Sequence, residues 1–145
     1  MPVVDASVLV AVTTDSGTEG AWAEDIVVGN LAAPYLVQVE TANILRRLES
    51  AGRVSRLEAT AAYGDTLQID IELFPFDPFA ERVWELRHNL TAYDAWYVAL
   101  AEALDLPLAT LDSRLARATG PSCRFLTPPA ADPESPAPEE DSEPA

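Results

Sequence analysis

A chain of 145 residues, 48% hydrophobic and with a single cysteine, is the size of one ordinary domain and can bury a core without disulfide staples. Its formal net charge is −15, with 24 acids against nine bases, and every base is arginine. That balance excludes broad, charge-driven nucleic-acid binding, and the absence of lysine excludes sites built on one.

The chain opens on Val3-Val4, a short strand ending at Asp5. Ser7 to Thr14 and Glu19 to Val28 read as helices, and Leu31 to Pro34 as a short extended segment closed by proline. Leu36 to Ala51 is a strong helix, with Val39, Ala42, Ile44, Leu45 and Leu48 at helical spacing and Gly52 as its stop. Ser55-Arg56-Leu57-Glu58 is a capping-box pattern that opens another helix. Glu72 to Phe76 reads as a strand, and Asp77-Pro78 opens a helix that runs to about Asn89. Thr91 caps a helix from Tyr93 to Leu104. Leu106 to Leu111 is a buried strand, Ser113 to Ala118 a short helix, and Cys123 to Leu126 a last strand.

Strands alternating with helices predict a three-layer α/β/α fold around a short central parallel sheet of four or five strands. Residues 1–127 form that domain. From Pro128 to Ala145 the composition turns to Pro, Ala, Ser and six acids, with no base and no large apolar residue. Such a segment buries too little surface to offset its ordering entropy, so 128–145 reads as a disordered acidic tail. Without it, 18 acids face nine bases, and residues 1–127 are still acidic at −9. No secretory signal is visible, and no apolar run approaches the roughly 20 residues that span a bilayer. The expectation is a cytoplasmic protein with no membrane partner.

Four acids stand where such a fold gathers chemistry. Asp5 ends the first strand and Asp112 follows a later one, and ligands of open parallel sheets bind beyond the carboxyl ends of strands. Glu40 and Asp94 lie near the starts of two apolar helices, where an unpaired carboxylate costs several kcal/mol. The nearest arginines in sequence, Arg46, Arg47 and Arg87, fall elsewhere on their helices. A hard divalent cation with oxygen ligands, Mg²⁺ or Mn²⁺, would relieve the repulsion. It would also activate water against a phosphodiester. Each acid has a plainer reading: Asp5 as a turn residue, Glu40 and Asp94 as acids favoured by a helix N-terminus, Asp112 as an N-cap.

The four segments together resemble a known family. Val3-Val4-Asp5-Ala6-Ser7-Val8-Leu9 is similar to the opening of PIN-domain nucleases, and Glu40-Thr41-Ala42-Asn43-Ile44-Leu45-Arg46-Arg47-Leu48 to their second acidic motif. Tyr93-Asp94-Ala95-Trp96-Tyr97-Val98-Ala99-Leu100-Ala101 resembles the third, and Thr110-Leu111-Asp112-Ser113-Arg114-Leu115 the fourth. Order and spacing agree across about residues 2–126, and the nearest group is the VapC-like toxins of toxin–antitoxin pairs. The resemblance implies a Mg²⁺- or Mn²⁺-dependent endoribonuclease, dimeric and held inactive by a cognate antitoxin. It makes Asp5, Glu40, Asp94 and Asp112 the catalytic and metal-holding acids, supported by hydrogen bonds from Ser7 and Thr110. The acidic tail is not part of the family pattern.

Other residues are weighed from position. Asn43 shares a helix face with Glu40 and either orients the metal site or serves as a solvated or capping group. Arg114 and Arg117, close after Asp112, are candidates for contact with RNA phosphate. Arg46 and Arg47 contact phosphate or solvate their helix. His88 reads as structural, Cys123 as a small buried residue, and Trp22, Trp84 and Trp96 as core or dimer contacts. A receiver domain would need a lysine and an aspartyl-phosphate phosphatase an acid at position 7. A P-loop or dinucleotide fold would need a glycine-rich loop, and none is present. The rivals left open are an inert RNA- or protein-binding module of the same fold and a DNA-directed nuclease.

Overall fold

Five short, largely apolar runs, the central three of them fully buried, pair into one all-parallel sheet in this computed structural model, which describes residues 1–15 and 17–130. The strands are β1 (Val3–Val4), β2 (Leu31–Pro34), β3 (Ile71–Phe74), β4 (Leu108–Ala109) and β5 (Phe125–Leu126), in the order β3-β2-β1-β4-β5. Val3 pairs with Ala32 on one side and Leu108 on the other. Successive strand residues face opposite sides, yet both Val3 and Val4 are fully buried, so both faces of the sheet are covered. The three-layer α/β expectation and its strand number stand.

The helices are α1 (Ala6–Thr14), α2 (Thr18–Val27), α3 (Leu36–Ser50), α4 (Arg56–Gln68), α5 (Ala80–Glu85), α6 (Ala92–Leu104) and α7 (Ser113–Ala116). The first four pack on one another, while α5 packs on α6 and α6 lies against β1, β2 and β4. Ser55 caps α4 in a full capping box: its hydroxyl accepts from the Glu58 N–H at 3.0 Å and Glu58 Oε1 accepts from the Ser55 N–H. Gly52, at φ +72°, follows α3 in the left-handed conformation that glycine adopts without steric cost. A bidentate pair, Arg82 Nε to Glu102 Oε2 at 2.8 Å and Arg82 Nη2 to Glu102 Oε1 at 3.1 Å, joins α5 to α6. The same two side chains bond Gly120 O and Ser122 N and bring the chain back toward the β5 edge.

Several boundaries differ from the expectation. The helix opened by Asp77-Pro78 is a 3₁₀ turn (Asp77–Phe79) followed by α5, which stops at Glu85 and not near Asn89. Beyond it the bonds Arg87 N to Trp84 O and Asn89 N to Leu86 O tighten the chain into turns. β3 stops at Phe74 because Pro75 has no N–H to donate, and β4 and β5 keep only their two central pairs. The buried stripe of α3 runs through Val37, Thr41 and Leu45, which turns Val39 outward at 66% exposure. Trp84 is likewise no core residue: it is 67% exposed, with the Arg87 guanidinium 4.4 Å from its ring centroid. Of the proline-rich tail, only residues 128–130 are described; the disorder expected of the rest lies outside the described residues.

Because the Leu108 side chain is fully buried, Leu108→Ala should leave a cavity beside the sheet and cost about 2–5 kcal/mol. Leu57→Ala, on an exposed face of α4, should stay within about 0.5 kcal/mol of wild type. Urea unfolding followed by circular dichroism reads both.

Candidate active site

The chain leaves β1 for one edge of the sheet and later returns at β4 beside it, so β1 and β4 flank the point where strand order reverses. Their carboxyl ends open side by side. Asp5 stands at the end of β1, 9% exposed, and caps α1. Its Oδ1 accepts from Ser7 N at 3.1 Å, from Val8 N at 3.4 Å and from Ser7 Oγ. Thr110 Oγ1, at the end of β4, donates to Oδ2. The two hydroxyls pass the network on: Ser7 Oγ accepts from Leu111 N at 3.1 Å and Thr110 Oγ1 from Asp112 N at 3.0 Å. One carboxylate therefore fastens two strand ends and two helix starts. A carboxylate offers about two acceptor positions on each oxygen; three donors crowd Oδ1, and Thr110 alone on Oδ2 leaves one position there free.

The other three acids surround this anchor. Asp112 Oδ1 caps α7, accepting from Arg114 N at 2.9 Å and Leu115 N at 3.4 Å, with Arg114 Nε 3.8 Å away. Asp94 sits in the first turn of α6, whose cap is Thr91 Oγ1 accepting from Asp94 N at 3.2 Å. Glu40 comes from the second turn of α3 and is half-buried. Its Oε1 is buried with no hydrogen-bond partner.

Electrostatics ties the four together. Burial raises the Asp5 carboxyl above its ordinary 3.8 despite its donors. Burial also raises Glu40; the Tyr97 hydroxyl opposes this, and the charges of Asp94 and Asp5 add to it. Asp94 is raised by burial and then by the charge of Asp112, with Arg114 and Thr91 opposing. The acids thus form a run of neighbours: Asp5 beside Glu40, Glu40 beside Asp94, Asp94 beside Asp112.

Tyr97 is the residue that sequence reasoning missed. It is 1% exposed, and its hydroxyl lies beside Glu40 without closing a hydrogen bond of ordinary geometry, so that this group too lacks a partner. Burial and the nearby Glu40, Asp5 and Asp94 charges push its ionisation far above the usual phenol range. The phenol stays protonated and holds a donor under the carboxylates. The one trace of it in the sequence is its spacing, three residues from Asp94 on the same face of α6, a spacing that core residues share as well.

The remaining predicted residues fall around the rim. Asn43 Oδ1 accepts from Arg46 Nε at 3.1 Å and Nη2 at 2.9 Å, so Asn43 is held by Arg46 and bonds none of the four acids. Arg114 is 87% exposed and lines a cleft of about 200 Å³ with Asp94 and Asp112. Arg117 turns back on α7, donating from Nε to Ser113 O at 3.2 Å. His88 is exposed and Cys123 half-buried.

Among the described residues, no three His, Cys, Asp or Glu side chains converge into a ready-made metal cage. An open run of carboxylates with a free position on Asp5 Oδ2 and an unpartnered Glu40 Oε1 instead fits an ion that takes one or two carboxylates and keeps its water. Mg²⁺ is such an ion, and Mn²⁺ accepts the same oxygen donors.

A parallel sheet with acids gathered at its switch point defines the class, and comparison with known proteins agrees: the PIN domain model matches residues 3–121, and the chain belongs to that family. Its curated relatives are VapC proteins. It is 39% identical over 125 residues to ribonuclease VapC1 of Mycobacterium tuberculosis, covering 85% of this chain and 94% of the relative. It is 37% identical over 129 residues to ribonuclease VapC9 of the same organism, covering 89% and 99%. The fold is also that of VapBC2 from Rickettsia felis, solved bound to a promoter DNA fragment, with TM-score 0.60, 14% identity and coverage of 88% and 98%.

The raised carboxyls set a pH dependence. Native Asp5, Glu40 and Asp94 keep protons that the unfolded chain has already lost. Stability of the metal-free protein therefore falls as pH climbs from the ordinary carboxyl values, 3.8 and 4.5, through the raised native ones, and levels off above them. Glu40→Gln removes one of these charges. In EDTA at neutral pH it should raise Tm by roughly 1–3 °C. Calorimetric scans across pH check both; a Tm lowered by the substitution would contradict this account of Glu40.

Proposed function

We propose that this protein is a Mg²⁺- or Mn²⁺-dependent endoribonuclease that hydrolyses RNA phosphodiesters in the cytoplasm as the toxin of a toxin–antitoxin pair. The observation that carries the reading is the run of four carboxylates at the sheet's switch point, with Glu40 Oε1 buried and unpartnered. An acidic pocket of this cost has no use in an inert binding module. The choice of RNA as substrate is supported by kinship with the VapC ribonucleases.

Asp5, Glu40 and Asp94 would hold the ion, one or two of them directly and the rest through water, and Asp112 would complete the pocket. When bound, it supplies an activated water at neutral pH and neutralises charge developing on the phosphate. The chain's own residues do the rest. Ser7, Thr110 and the α1 amides keep Asp5 oriented. Tyr97 holds a proton beside Glu40, which favours its charged form. Arg114 borders the Asp94–Asp112 cleft, where its exposed guanidinium can pair with a backbone phosphate.

Homodimerisation and a cognate antitoxin belong to the same proposal, supported by the VapC kinship. The acidity of the body bears on the inhibitor: a basic side chain of the antitoxin among the carboxylates would compete with the metal for one deficit of charge.

Asp5→Asn and Asp94→Asn should each lower RNA cleavage by about 100-fold or more while preserving the circular dichroism spectrum. Titration calorimetry should detect Mn²⁺ binding in the wild type and none in Asp94→Asn. Full cleavage by both variants, assayed free of contaminating nuclease, would sink the assignment.

A further inference from the structure

Beside the acids lies a second cleft, of about 400 Å³, lined by Leu36, Val39, Glu40, Asn43 and Tyr93. Two of its walls are unusual for a surface. Tyr93 is 63% exposed and Val39 66% exposed, an aromatic ring and a branched alkyl group on different helices that no described residue covers. A third wall is chemically oriented. A guanidinium only donates, so the Arg46 fork requires Asn43 to turn its oxygen toward it. The free end of that amide is Nδ2, a donor.

Glu40 belongs to both the cleft and the acid run, so whatever fills the cleft is adjacent to the reacting phosphate. It is not itself a phosphate, because the Glu40 carboxylate repels one. On the other side of Asp94 is the smaller cleft with Arg114, which attracts one. Tyr93 and Asp94 are consecutive residues of α6 and project about 100° apart, which turns them toward different clefts. A strand crossing the start of α6 meets an aromatic pocket edged by the Glu40 carboxylate on one side and a cleft bordered by the Arg114 guanidinium on the other.

We infer that the Tyr93 cleft is a base subsite. It takes one unpaired nucleobase of the RNA strand, stacked on Tyr93 against Val39 and Leu36, with Asn43 Nδ2 donating to an acceptor on the base edge. The inference rests on the ribonuclease reading and deepens it, by making the base held at Tyr93 a determinant of where the strand is cut. Stacking on an exposed aromatic ring contributes to affinity for any base, whereas the Asn43 donor favours bases that present a carbonyl or ring nitrogen there.

The test uses the full chain in EDTA at low salt, so that no strand is cut. Two fluorescein-labelled probes of equal length are titrated by anisotropy: a random-sequence single-stranded RNA dodecamer and an abasic ribose-phosphate strand. The wild type should bind the RNA about tenfold more tightly than the abasic strand. Tyr93→Ala should remove that preference and leave abasic binding unchanged. Tyr93→Phe should retain it, and Arg114→Ala should weaken both probes alike. Because Tyr93 is exposed, its loss does not threaten the fold. Equal binding of both probes by the wild type, or equal weakening of both by Tyr93→Ala, overturns the subsite. So does a change of oligomeric state in Tyr93→Ala with RNA preference intact, which would make the cleft a contact between copies. Cleavage without base preference leaves the nuclease reading standing and this one fallen; base preference in a protein that cuts no RNA does the reverse.

Discussion

Everything at this site hangs on one buried carboxylate. Asp5 accepts four hydrogen bonds from Ser7, Val8 and Thr110, and its two hydroxyl donors accept in turn from Leu111 and Asp112. Strands of two residues are too short to define a sheet edge by ladder bonds alone. The Asp5 network compensates by locking the ends of β1 and β4 to each other and to the starts of α1 and α7. Each donor lowers the cost of the buried charge without removing it, so the fold holds a carboxylate in place at a standing expense in stability.

The helices complete what the strand ends begin. α6 lies against β1, β2 and β4, which brings its first turn, and with it Asp94, to the same end of the sheet as Asp5. α3 contributes Glu40 from its second turn because its buried stripe, Val37-Thr41-Leu45, faces inward and leaves Glu40 at the margin. The charges of Asp94 and Asp5 add to the rise at Glu40 and that of Asp112 to the rise at Asp94, and that repulsion distinguishes a site from a set of helix caps. Asp5 and Asp112 are caps as well, and in each the capping bonds fall on Oδ1.

The layering of the fold was legible in the sequence because the elements alternate cleanly and their punctuation is strong: Gly52, Ser55, Thr91 and Asp112 stand where the helices end or begin. The four acids were legible by order and spacing. Tyr97 was not, because a phenol inside Ala95-Trp96-Tyr97-Val98-Ala99 reads as core, and it is core; only the position of its hydroxyl makes it part of the site. The outward turn of Val39 was hidden for a related reason. An apolar residue at near-helical spacing is indistinguishable from a buried one until a neighbouring stripe is seen to win. The end of α5 was unreadable because the bonds that close it, Arg87 to Trp84 and Asn89 to Leu86, differ from helical ones by a single residue of reach.

The protonated phenol beneath Glu40 has one more consequence. Burial keeps the Tyr97 proton in place, so the floor of the pocket is a fixed dipole that neither gains nor loses charge. Arg47 and Arg114 offset the carboxylates only in part, and the remaining counter-charge has to come from outside the pocket. Under the proposed function, a metal ion and a basic group on a protein partner would draw on the same unfilled counter-charge. Switching such a site on or off becomes a question of which visitor is more abundant, with no rearrangement of the fold required.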